Sequence, residues 1–397
     1  MWTLSKRAMN ITPSATMALT AKVAELKQQG IEIIKFNVGE PDFDTPAYIR
    51  EACKKAIDEG MTRYSATPGV IELREAVCQK LARENHVQYS PAEVSFSAGA
   101  KNALFNTIMT IVDDGDEVIL PTPCWVSYVD MVKLAGGVPV LVPCREENGF
   151  DLDLDALAQA VTPRTKALLF NTPNNPTGAV YSEQTLRALA EMALQHEFYL
   201  IADEVYEKLI YDGEKHFSIA SISEDVRQIT FTANALSKAF AMTGWRAGYV
   251  AGPQAAIAKI NALQSHSLSN VTTFVQYASI AALQGPTDEI DAMVAEFDRR
   301  RKYVVARLNE MGFACRMPKG AFYVMPNVSS LYARKYNGQL LQDSNGVANF
   351  VLEAAHCAMV PGAAFFAPDN IRISYSNSLE NLTRGLDQLA AAVKTLA

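Results

Sequence analysis

Residues 198–203 read Phe198-Tyr199-Leu200-Ile201-Ala202-Asp203, a run of apolar and aromatic side chains that ends in a carboxylate. A run of this kind predicts a short strand buried in a sheet. Six similar runs occupy the region around it: Glu93–Ser97, Glu117–Leu120, Val138–Val142, Ala167–Phe170, Gln228–Thr232 and Gly248–Ala251. Most are separated by one amphipathic stretch, such as Ser127–Leu134 or Ser182–His196. The alternation predicts an α/β fold whose mostly parallel sheet is covered by helices on both faces.

The last hundred residues follow a different pattern. A long helical stretch at Asp288–Met311 precedes two strand-like runs, Gly320–Val324 and Asn370–Tyr375. We expect a smaller α+β domain to which the first residues of the chain also contribute. The predicted organisation is an N-terminal arm and part of the small domain at 1–47, a large domain at 48–288 and a small C-terminal domain at 289–397. Tyr336–Gly338 and Ser344–Gly346 are predicted surface loops.

Charge and hydropathy exclude several classes of partner. The chain has 397 residues, 36 basic and 43 acidic, and its net charge of −7 argues against a nucleic-acid surface. The longest basic run, Arg299–Lys302, lies in the long helical stretch and is predicted to be a solvated helix face. No stretch approaches the roughly 20 apolar residues of a membrane span, and the N-terminus lacks an apolar signal core. We therefore expect a cytoplasmic protein with no membrane or nucleic-acid partner.

The six cysteines are dispersed along the chain without a CxxC pair or a nearby histidine cluster. A disulfide framework or a zinc site requires tighter, patterned spacing. We expect buried free thiols in a reducing compartment and no metal site.

Several polar residues follow directly after predicted strands, where ligands bind in open α/β sheets. Ser97-Ala98-Gly99-Ala100-Lys101 joins a strand to a helix, and a small-residue turn at a helix N-terminus suits a phosphate. Alone the signal is weak, because many such turns are small only for packing. The turn Asn171–Gly178 contains two prolines that hold Asn175 in place, although an ordinary tight turn explains it equally well.

Asp203 closes its strand, and Tyr206 follows three residues later. A buried carboxylate is costly without a partner, so Asp203 is predicted either to cap a helix or to keep a ring nitrogen protonated.

Lys238 lies between a predicted strand and a hydrophobic stretch, where desolvation lowers the pKa of an amine and makes it a nucleophile toward an aldehyde. Ser237 and Arg246 flank it as potential phosphate ligands. Most lysines are surface charges, so the interpretation depends on a coincidence. A phosphate turn, an acid, an amine and an arginine all fall at predicted strand ends.

These residues resemble a known family along nearly the whole chain. The sequence is similar to fold-type-I pyridoxal-phosphate (PLP) enzymes, specifically the bacterial class-I aspartate aminotransferases. The segments that carry the resemblance are Pro13–Thr16, Gly39–Pro46, Trp125–Tyr128, Asn174–Gly178, Ser237–Gly248 and Ile371–Tyr375.

The resemblance implies a role for each of these positions. Lys238 would bind the cofactor as a Schiff base and move the proton between the substrate α-carbon and the cofactor. Asp203 would pair with the ring nitrogen, Tyr206 and Asn175 would bind the phenolic oxygen, and Trp125 would stack on the ring. The phosphate would be bound by Gly99, Ala100, Lys101, Ser237 and Arg246, with Tyr64 from a second subunit of a homodimer. Arg372 would bind the substrate α-carboxylate, assisted by Gly39 and Asn175.

Substrate choice is implied by two further positions. In this subgroup a lysine matching Lys101, helped by a serine matching Ser14, binds the second carboxylate of aspartate, which predicts L-aspartate as donor and 2-oxoglutarate as acceptor. Ala235, Cys124 and Thr12 depart from the usual glycine, tyrosine and lysine, so an aromatic, branched or alanine-like donor stays open. Another PLP reaction, or a non-enzymatic regulatory use of the fold, is also open, although nothing is appended that favours the latter.

Overall fold

The computed structural model describes residues 2–9 and 15–397. Its strands, numbered in chain order, are β1 Ile34–Lys35, β2 Val94–Ser97, β3 Glu117–Thr122, β4 Val138–Pro143, β5 Thr165–Asn171, β6 Tyr199–Asp203, β7 Thr230–Ala235, β8 Gly248–Ala251, β9 Tyr323–Val324, β10 Lys335–Tyr336, β11 Gln339–Leu340, β12 Cys357–Ala358, β13 Val360–Pro361 and β14 Ile371–Ser374. Its α-helices are α1 Lys6–Met9, α2 Ala15–Gln28, α3 Ala47–Asp58, α4 Ile71–Glu84, α5 Ala100–Ile111, α6 Ser127–Leu134, α7 Leu154–Ala160, α8 Glu183–His196, α9 Glu224–Arg227, α10 Leu236–Ala239, α11 Gln254–Ser265, α12 Thr273–Gln284, α13 Asp288–Glu310, α14 Ser344–Ala354 and α15 Leu379–Val393.

All seven predicted strands of the large sheet are present, and they lie in the order β2-β8-β7-β6-β5-β3-β4. Only β8 runs antiparallel to its neighbours, so the sheet is mixed but mostly parallel, as predicted. The carboxyl ends of the parallel strands therefore lie along one end of the sheet, here called its carboxyl edge. This end carries the last residues of β2, β5, β6 and β7 and the first residue of β8. The register places Asn171 beside Asp203 and Ala235 beside Gly248 at this edge.

Helices cover both faces of this sheet because its strands are apolar on both sides. Alternate residues of β5 belong to different core clusters. Ala167 and Leu169 pack with α5, α6 and α11, while Leu168 and Phe170 pack with α7 and α8. A sheet buried on both faces stays rigid, which fixes the residues that leave its edge.

A separate core contains residues of β1, α13, β9, α14, β12, β14 and α15, so that chain near the N-terminus packs with the C-terminal region. A three-stranded antiparallel sheet has the order β13-β14-β9, and β1 pairs in parallel with β12. Phe36, directly after β1, is fully buried in this core, and its carbonyl accepts a hydrogen bond from the Ser374 amide at 2.8 Å. This pairing supports the predicted contribution of the N-terminal residues to the small domain. The exact domain boundaries stay a prediction.

The prediction of a loop at Ser344–Gly346 is wrong, because these residues form the first turn of α14. The side chain of Asp343 accepts a hydrogen bond from the Gly346 amide at 2.8 Å, which caps the helix. Val347, Phe350 and Val351 then bury an apolar face. The low apolar content of the first turn concealed the helix. The other predicted loop, Tyr336–Gly338, is the turn of the β10–β11 hairpin, in which Tyr336 is the last residue of β10.

The prediction that Arg299–Lys302 is a solvated helix face is wrong for its two central residues. Arg301 is fully buried and binds Asp212 and Asp298. Arg300 is 6% exposed and contacts Asp42 at 2.7 Å. Only the outer two residues of the run face solvent. Consecutive positions on a helix point about 100° apart, so a four-residue run cannot share one face.

Two further expectations concern thiols and membranes. All six cysteines are free; four are buried, while Cys53 and Cys78 are only partly buried. Among the described residues, no helix combines the length and the apolar character that crossing a bilayer requires.

Arg301→Leu should lower the free energy of unfolding by about 2 kcal/mol, because it removes a buried guanidinium from two carboxylates and from the Pro318 carbonyl. The loss should stay below the roughly 3–5 kcal/mol of a fully buried pair, since Asp212 and Asp298 remain partly solvated. Arg299→Leu, on the exposed side of the same helix, is the matched control and should change stability by less than about 0.5 kcal/mol. Equal effects in urea unfolding would contradict the assigned burial.

Candidate active site

A cavity of about 810 Å³ opens at the edge of the large sheet where the strand ends meet. Eleven of the residues predicted for the site line it: Gly39, Ala100, Lys101, Trp125, Asn175, Asp203, Tyr206, Ser237, Lys238, Arg246 and Arg372. Ala21 and Ala24 of α2 and Val38 form part of its outer wall. The fold therefore brings together residues that follow strands of the large sheet, such as Asp203 and Lys238, and residues that only the resemblance implied, Gly39 and Arg372.

Lys238 lies in the short helix α10, which begins directly after β7. Its Nζ donates a hydrogen bond to the Gly39 carbonyl at 2.6 Å. Burial lowers the pKa of Lys238 to about 8; Glu40 opposes this change, while Arg246 and Arg372 add to it. An amine in this state is available as a nucleophile far more often than a surface lysine.

Asp203, the last residue of β6, points its carboxylate into the cavity and is almost completely buried. Oδ2 accepts a hydrogen bond from the Tyr128 hydroxyl at 2.7 Å, and Oδ1 accepts one from the Val205 amide at 3.2 Å. Burial raises the pKa of Asp203 to about 6, although Tyr128 and the Val205 amide oppose the rise. The carboxylate therefore lacks a cationic partner strong enough to offset its burial, and a protonated ring nitrogen would supply one.

Ala100, Ser237 and Arg246 form an anion-binding cradle in the cavity lining. Helix α5 begins at Ala100; the Asn102 and Ala103 amides donate to the Gly99 carbonyl, which leaves the amides of Ala100 and Lys101 without a backbone acceptor among the described residues. Gly99 has a φ of +81°, and a Cβ at this position would lie 2.7 Å from Nη2 of Arg246. The missing side chain lets the guanidinium approach the helix N-terminus. Ser237 lines the same part of the cavity and adds a hydroxyl.

Arg372 on β14 brings a second, separate cation to the cavity. Nη1 donates to Oδ1 of Asn175 at 3.0 Å, and Nη2 donates to the Asn37 carbonyl at 2.9 Å. Its Nε is buried without a hydrogen-bond partner among the described residues. The guanidinium lies 4.5 Å from the ring centre of Tyr323, which fixes its plane. An oriented guanidinium with an unused donor suits a carboxylate.

Lys101 and Trp125 form the side of the cavity near the cradle. The Lys101 Nζ lies 4.7 Å from the centre of the Trp125 ring, which holds the ammonium over the aromatic face. Tyr206 and Tyr323 also line the cavity, and their hydroxyls share a hydrogen bond of 3.0 Å.

Two of the predicted residues that the structure describes, Gly99 and Tyr64, do not line the cavity. Gly99 shapes the cradle from behind, as described above. Tyr64 is 92% exposed and does not line this cavity. Ser14, like the departure at Thr12, lies outside the described residues.

The two other departures from the family pattern leave the site intact. Ala235 has extended backbone angles (φ −154°, ψ 158°), which any residue adopts, so the position does not require glycine. Cys124 is buried, and its amide hydrogen-bonds the Phe365 carbonyl at 3.4 Å.

Sequence reasoning missed the roles of Tyr128 and Tyr323. The resemblance includes Tyr128 only as the last residue of the Trp125–Tyr128 segment, yet its side chain is 1% exposed and hydrogen-bonds the Asp203 carboxylate. Trp125 lies two residues before α6 and Tyr128 in its first turn, and the two rings pack edge to face with centroids 5.4 Å apart. Tyr323 gave no signal in the sequence, because its contacts with Tyr206 and Arg372 depend on how β9 packs against the large domain.

Comparison with known proteins identifies the family. The family model "Aminotransferase class I and II" matches residues 31–389. The probable aspartate/prephenate aminotransferase of Aquifex aeolicus is 46% identical over 396 residues, which cover 99% of each chain. The aspartate aminotransferase structure from Rhizobium meliloti is 39% identical with a TM-score of 0.97 and covers 100% of both chains. The Thermus thermophilus aspartate aminotransferase with maleate is 42% identical with a TM-score of 0.93, over 99% of this chain and 100% of that one.

The fold and the cavity define a PLP-dependent transferase of fold type I. The chain belongs to the class I and II aminotransferase family, and its resemblance to the bacterial aspartate aminotransferases is confirmed. Its residues fit the cofactor of that family. The cradle at Gly99 and Arg246 suits the phosphate, the underpaired Asp203 suits the ring nitrogen, and Lys238 suits the aldehyde.

Tyr128→Phe should raise the pKa of Asp203 above about 6, because it removes the hydrogen bond that favours the ionised form. Protonation of Asp203 weakens its pairing with a cationic ring. The acid limb of cofactor affinity should therefore move to higher pH in absorbance titrations. Tyr181→Phe, a buried tyrosine in a different core cluster, is the control. An unchanged acid limb in Tyr128→Phe would show that the hydroxyl does not tune Asp203.

Proposed function

We propose that this aminotransferase takes the amino group from L-aspartate and passes it to 2-oxoglutarate, yielding oxaloacetate and L-glutamate in a two-step, ping-pong reaction. The observation that carries the proposal is the pair of cationic side chains, Arg372 and Lys101, that line one cavity. Two separately positioned cations match a substrate with two carboxylates. The names of the relatives support the same substrate, since they are aspartate or aspartate/prephenate aminotransferases, and one was solved with maleate.

The α-carboxylate of the substrate would bind Arg372. A planar guanidinium binds a carboxylate through two parallel hydrogen bonds, so it fixes orientation as well as position. Asn175 and the Asn37 carbonyl already occupy Nη1 and Nη2, whereas the Nε donor is free among the described residues. Binding would therefore redirect part of this network toward the substrate, with Asn175 as a second donor through its amide.

Lys238 would act as the proton carrier. Pyridoxal phosphate, when bound, supplies an aldehyde for the amine and a cationic ring that withdraws electrons from the substrate α-carbon. Lys238 would take the proton from that carbon and return it, as its pKa of about 8 permits near neutral pH. Binding of the α-carboxylate by Arg372 would place the substrate α-carbon near the Lys238 Nζ, so that the proton is transferred between groups that are already positioned.

Asp203 would stabilise the positive ring, and the cradle would anchor the phosphate. Asp203 does so by its charge, with Tyr128 keeping the carboxylate oriented and ionised. Arg246, Ser237 and the first amides of α5 would hold the phosphate, and Trp125 would limit ring movement by stacking. Tyr206 and Asn175 would donate hydrogen bonds to the phenolic oxygen.

A homodimer belongs to the same proposal. The phenol of Tyr64 is almost fully exposed in the single chain, and a second copy would allow it to complete the phosphate site. A cytoplasmic location stays a prediction from the sequence.

A second acceptor has specific support. The name of the Aquifex aeolicus relative couples aspartate with prephenate, and the outer wall of this cavity carries the small side chains of Ala21 and Ala24. A larger oxo acid is therefore a candidate alongside 2-oxoglutarate.

The purified protein should be yellow, and its absorbance should shift when L-aspartate is added and return when 2-oxoglutarate follows. Each half of a ping-pong reaction leaves the cofactor in a different state, so the cycle appears in the spectrum without any coupled assay. Stoichiometric oxaloacetate without ammonia is expected. Ammonia release would point instead to elimination, and a shift with alanine or phenylalanine but not aspartate would overturn the proposed donor.

Lys101→Ala should raise the Michaelis constant for aspartate far more than that for alanine, because only aspartate has a second carboxylate for this ammonium. The Michaelis constant for aspartate should rise about 10-fold or more, because one charge-assisted contact is lost. Lys133→Ala, near the end of α6 and away from the cavity lining, is the matched control and should change neither constant. If both donors suffered equally, Lys101 would not be the specificity residue.

A further inference from the structure

Behind the cavity lies a buried cluster of ionisable groups with no role in the proposed chemistry. It begins in the segment Asp203–Glu207, which connects β6 to the following loop. Asp203 and Tyr206 line the cavity, whereas Glu204 and Glu207 do not. The two glutamates enter the cluster together with Lys80 of α4 and His216. The side chains of Glu204, Glu207, Lys80 and His216 are 1%, 9%, 3% and 10% exposed.

Every carboxylate oxygen in this cluster already has a donor. Ser218 donates to Oε1 of Glu204 at 2.7 Å, and Asn85 donates to Oε2 of Glu204 at 3.1 Å. Asn85 also donates to Oε2 of Glu207 at 2.8 Å, while Asn234 and Lys80 donate to Oε1. Glu204, Glu207 and His216 lie close enough to suggest a metal site. However, the Lys80 ammonium already occupies the position beside Glu207, and its charge opposes a cation there.

The charges of these four residues balance only if His216 is protonated. Two carboxylates and one ammonium leave one negative charge in a buried setting, which is expensive. His216 Nε2 lies 3.0 Å from Oε2 of Glu204, a distance at which a protonated imidazole forms an ion pair with a carboxylate. Burial lowers the pKa of His216, but Glu204 and Glu207 outweigh this effect and the net pKa is raised. The remaining ionisable groups around the cluster are Glu84, Lys208, Tyr89 and Tyr249.

We propose that His216 is a positioning residue that, as a buried cation, holds Glu204 and thereby fixes the Asp203–Glu207 segment that presents Asp203 and Tyr206 to the cofactor. The effect on Asp203 is both geometric and electrostatic. Glu204 is the next residue in the chain, and its negative charge raises the pKa of Asp203. A cation beside Glu204 reduces that influence. His216 itself does not line the cavity.

The role in cofactor binding rests on the proposed function, but the charge of His216 can be tested without it. A histidine whose folded pKa lies above its unfolded value of about 6.5 stabilises the protein fully below that pH. The stabilisation is lost as the pH rises through the folded value. The unfolding free energy of the purified protein should therefore exceed that of His216→Gln most at acidic pH, and the difference should shrink toward alkaline pH.

His266→Gln is the matched control, since this histidine is exposed just after α11 and should give no pH-dependent difference. Glu204→Gln removes the same ion pair from the carboxylate side and should abolish the same pH dependence, so the test survives if His216→Gln fails to fold. A pH-independent difference in both variants would overturn the proposal. Tight binding of one equivalent of Zn²⁺ that is lost in His216→Gln would also overturn it, because the cluster would then be a metal site.

The positioning role has its own measurement. His216→Gln should raise the dissociation constant of pyridoxal phosphate on the order of 10-fold, as removal of an indirect support typically does. It should also move the acid limb of that affinity to higher pH, because Asp203 is then protonated more readily. The positioning role would be overturned if His216→Gln lost the pH dependence of unfolding but kept the wild-type dissociation constant of pyridoxal phosphate and its wild-type pH dependence. His216 would then stabilise the fold without affecting Asp203. A wild-type protein that binds no cofactor would instead refute the proposed function.

Discussion

An amine at the carboxyl edge of a buried sheet cannot keep an ordinary pKa, because burial penalises its charged form and cations nearby add to the penalty. Lys238 is in that position: Arg246 and Arg372 help to lower its pKa, and the only hydrogen bond of its Nζ among the described residues goes to the Gly39 carbonyl. The rest of the site follows from this constraint. An amine with a lowered pKa can attack an aldehyde, while Asp203 would pair with the cationic ring of the cofactor and the cradle at Gly99 would bind its phosphate.

The opposite behaviour of Asp203 shows why the two groups belong together. Its pKa is raised by burial to about 6, while that of Lys238 is lowered to about 8. Two groups whose pKa values are displaced toward each other are typical of acid–base sites. Tyr128 hydrogen-bonds the Asp203 carboxylate directly, and the proposed role of the Glu204 cluster is to fix the backbone that carries Asp203.

Much of this arrangement could be predicted from the sequence because parallel strands deliver their carboxyl ends to one edge. The sequence alone predicts that Lys238, Asp203, Asn175 and the Gly99 turn belong to one site, because each follows one of the seven apolar runs. The strand order and the reversed direction of β8 could not be read in the same way, because they depend on long-range pairing. Yet they place Gly248 beside the Gly99 turn. A Cβ on Gly248 would lie 2.6 Å from the carbonyl carbon of Gly99. The burial of Arg301 could not be predicted from the sequence either, because its partner Asp212 comes from another part of the fold. The contribution of Arg372 was recognised by family resemblance rather than from spacing.

The central claim is that the amine of Lys238 bonds to the aldehyde of the cofactor, and reduction tests it most directly. Sodium borohydride converts such an imine into a stable secondary amine, which survives digestion and is located by peptide mass spectrometry. The account predicts one labelled site per chain, on the peptide that contains residue 238. A label on Lys101, the other lysine that lines the cavity, or no covalent label in yellow protein, would contradict it.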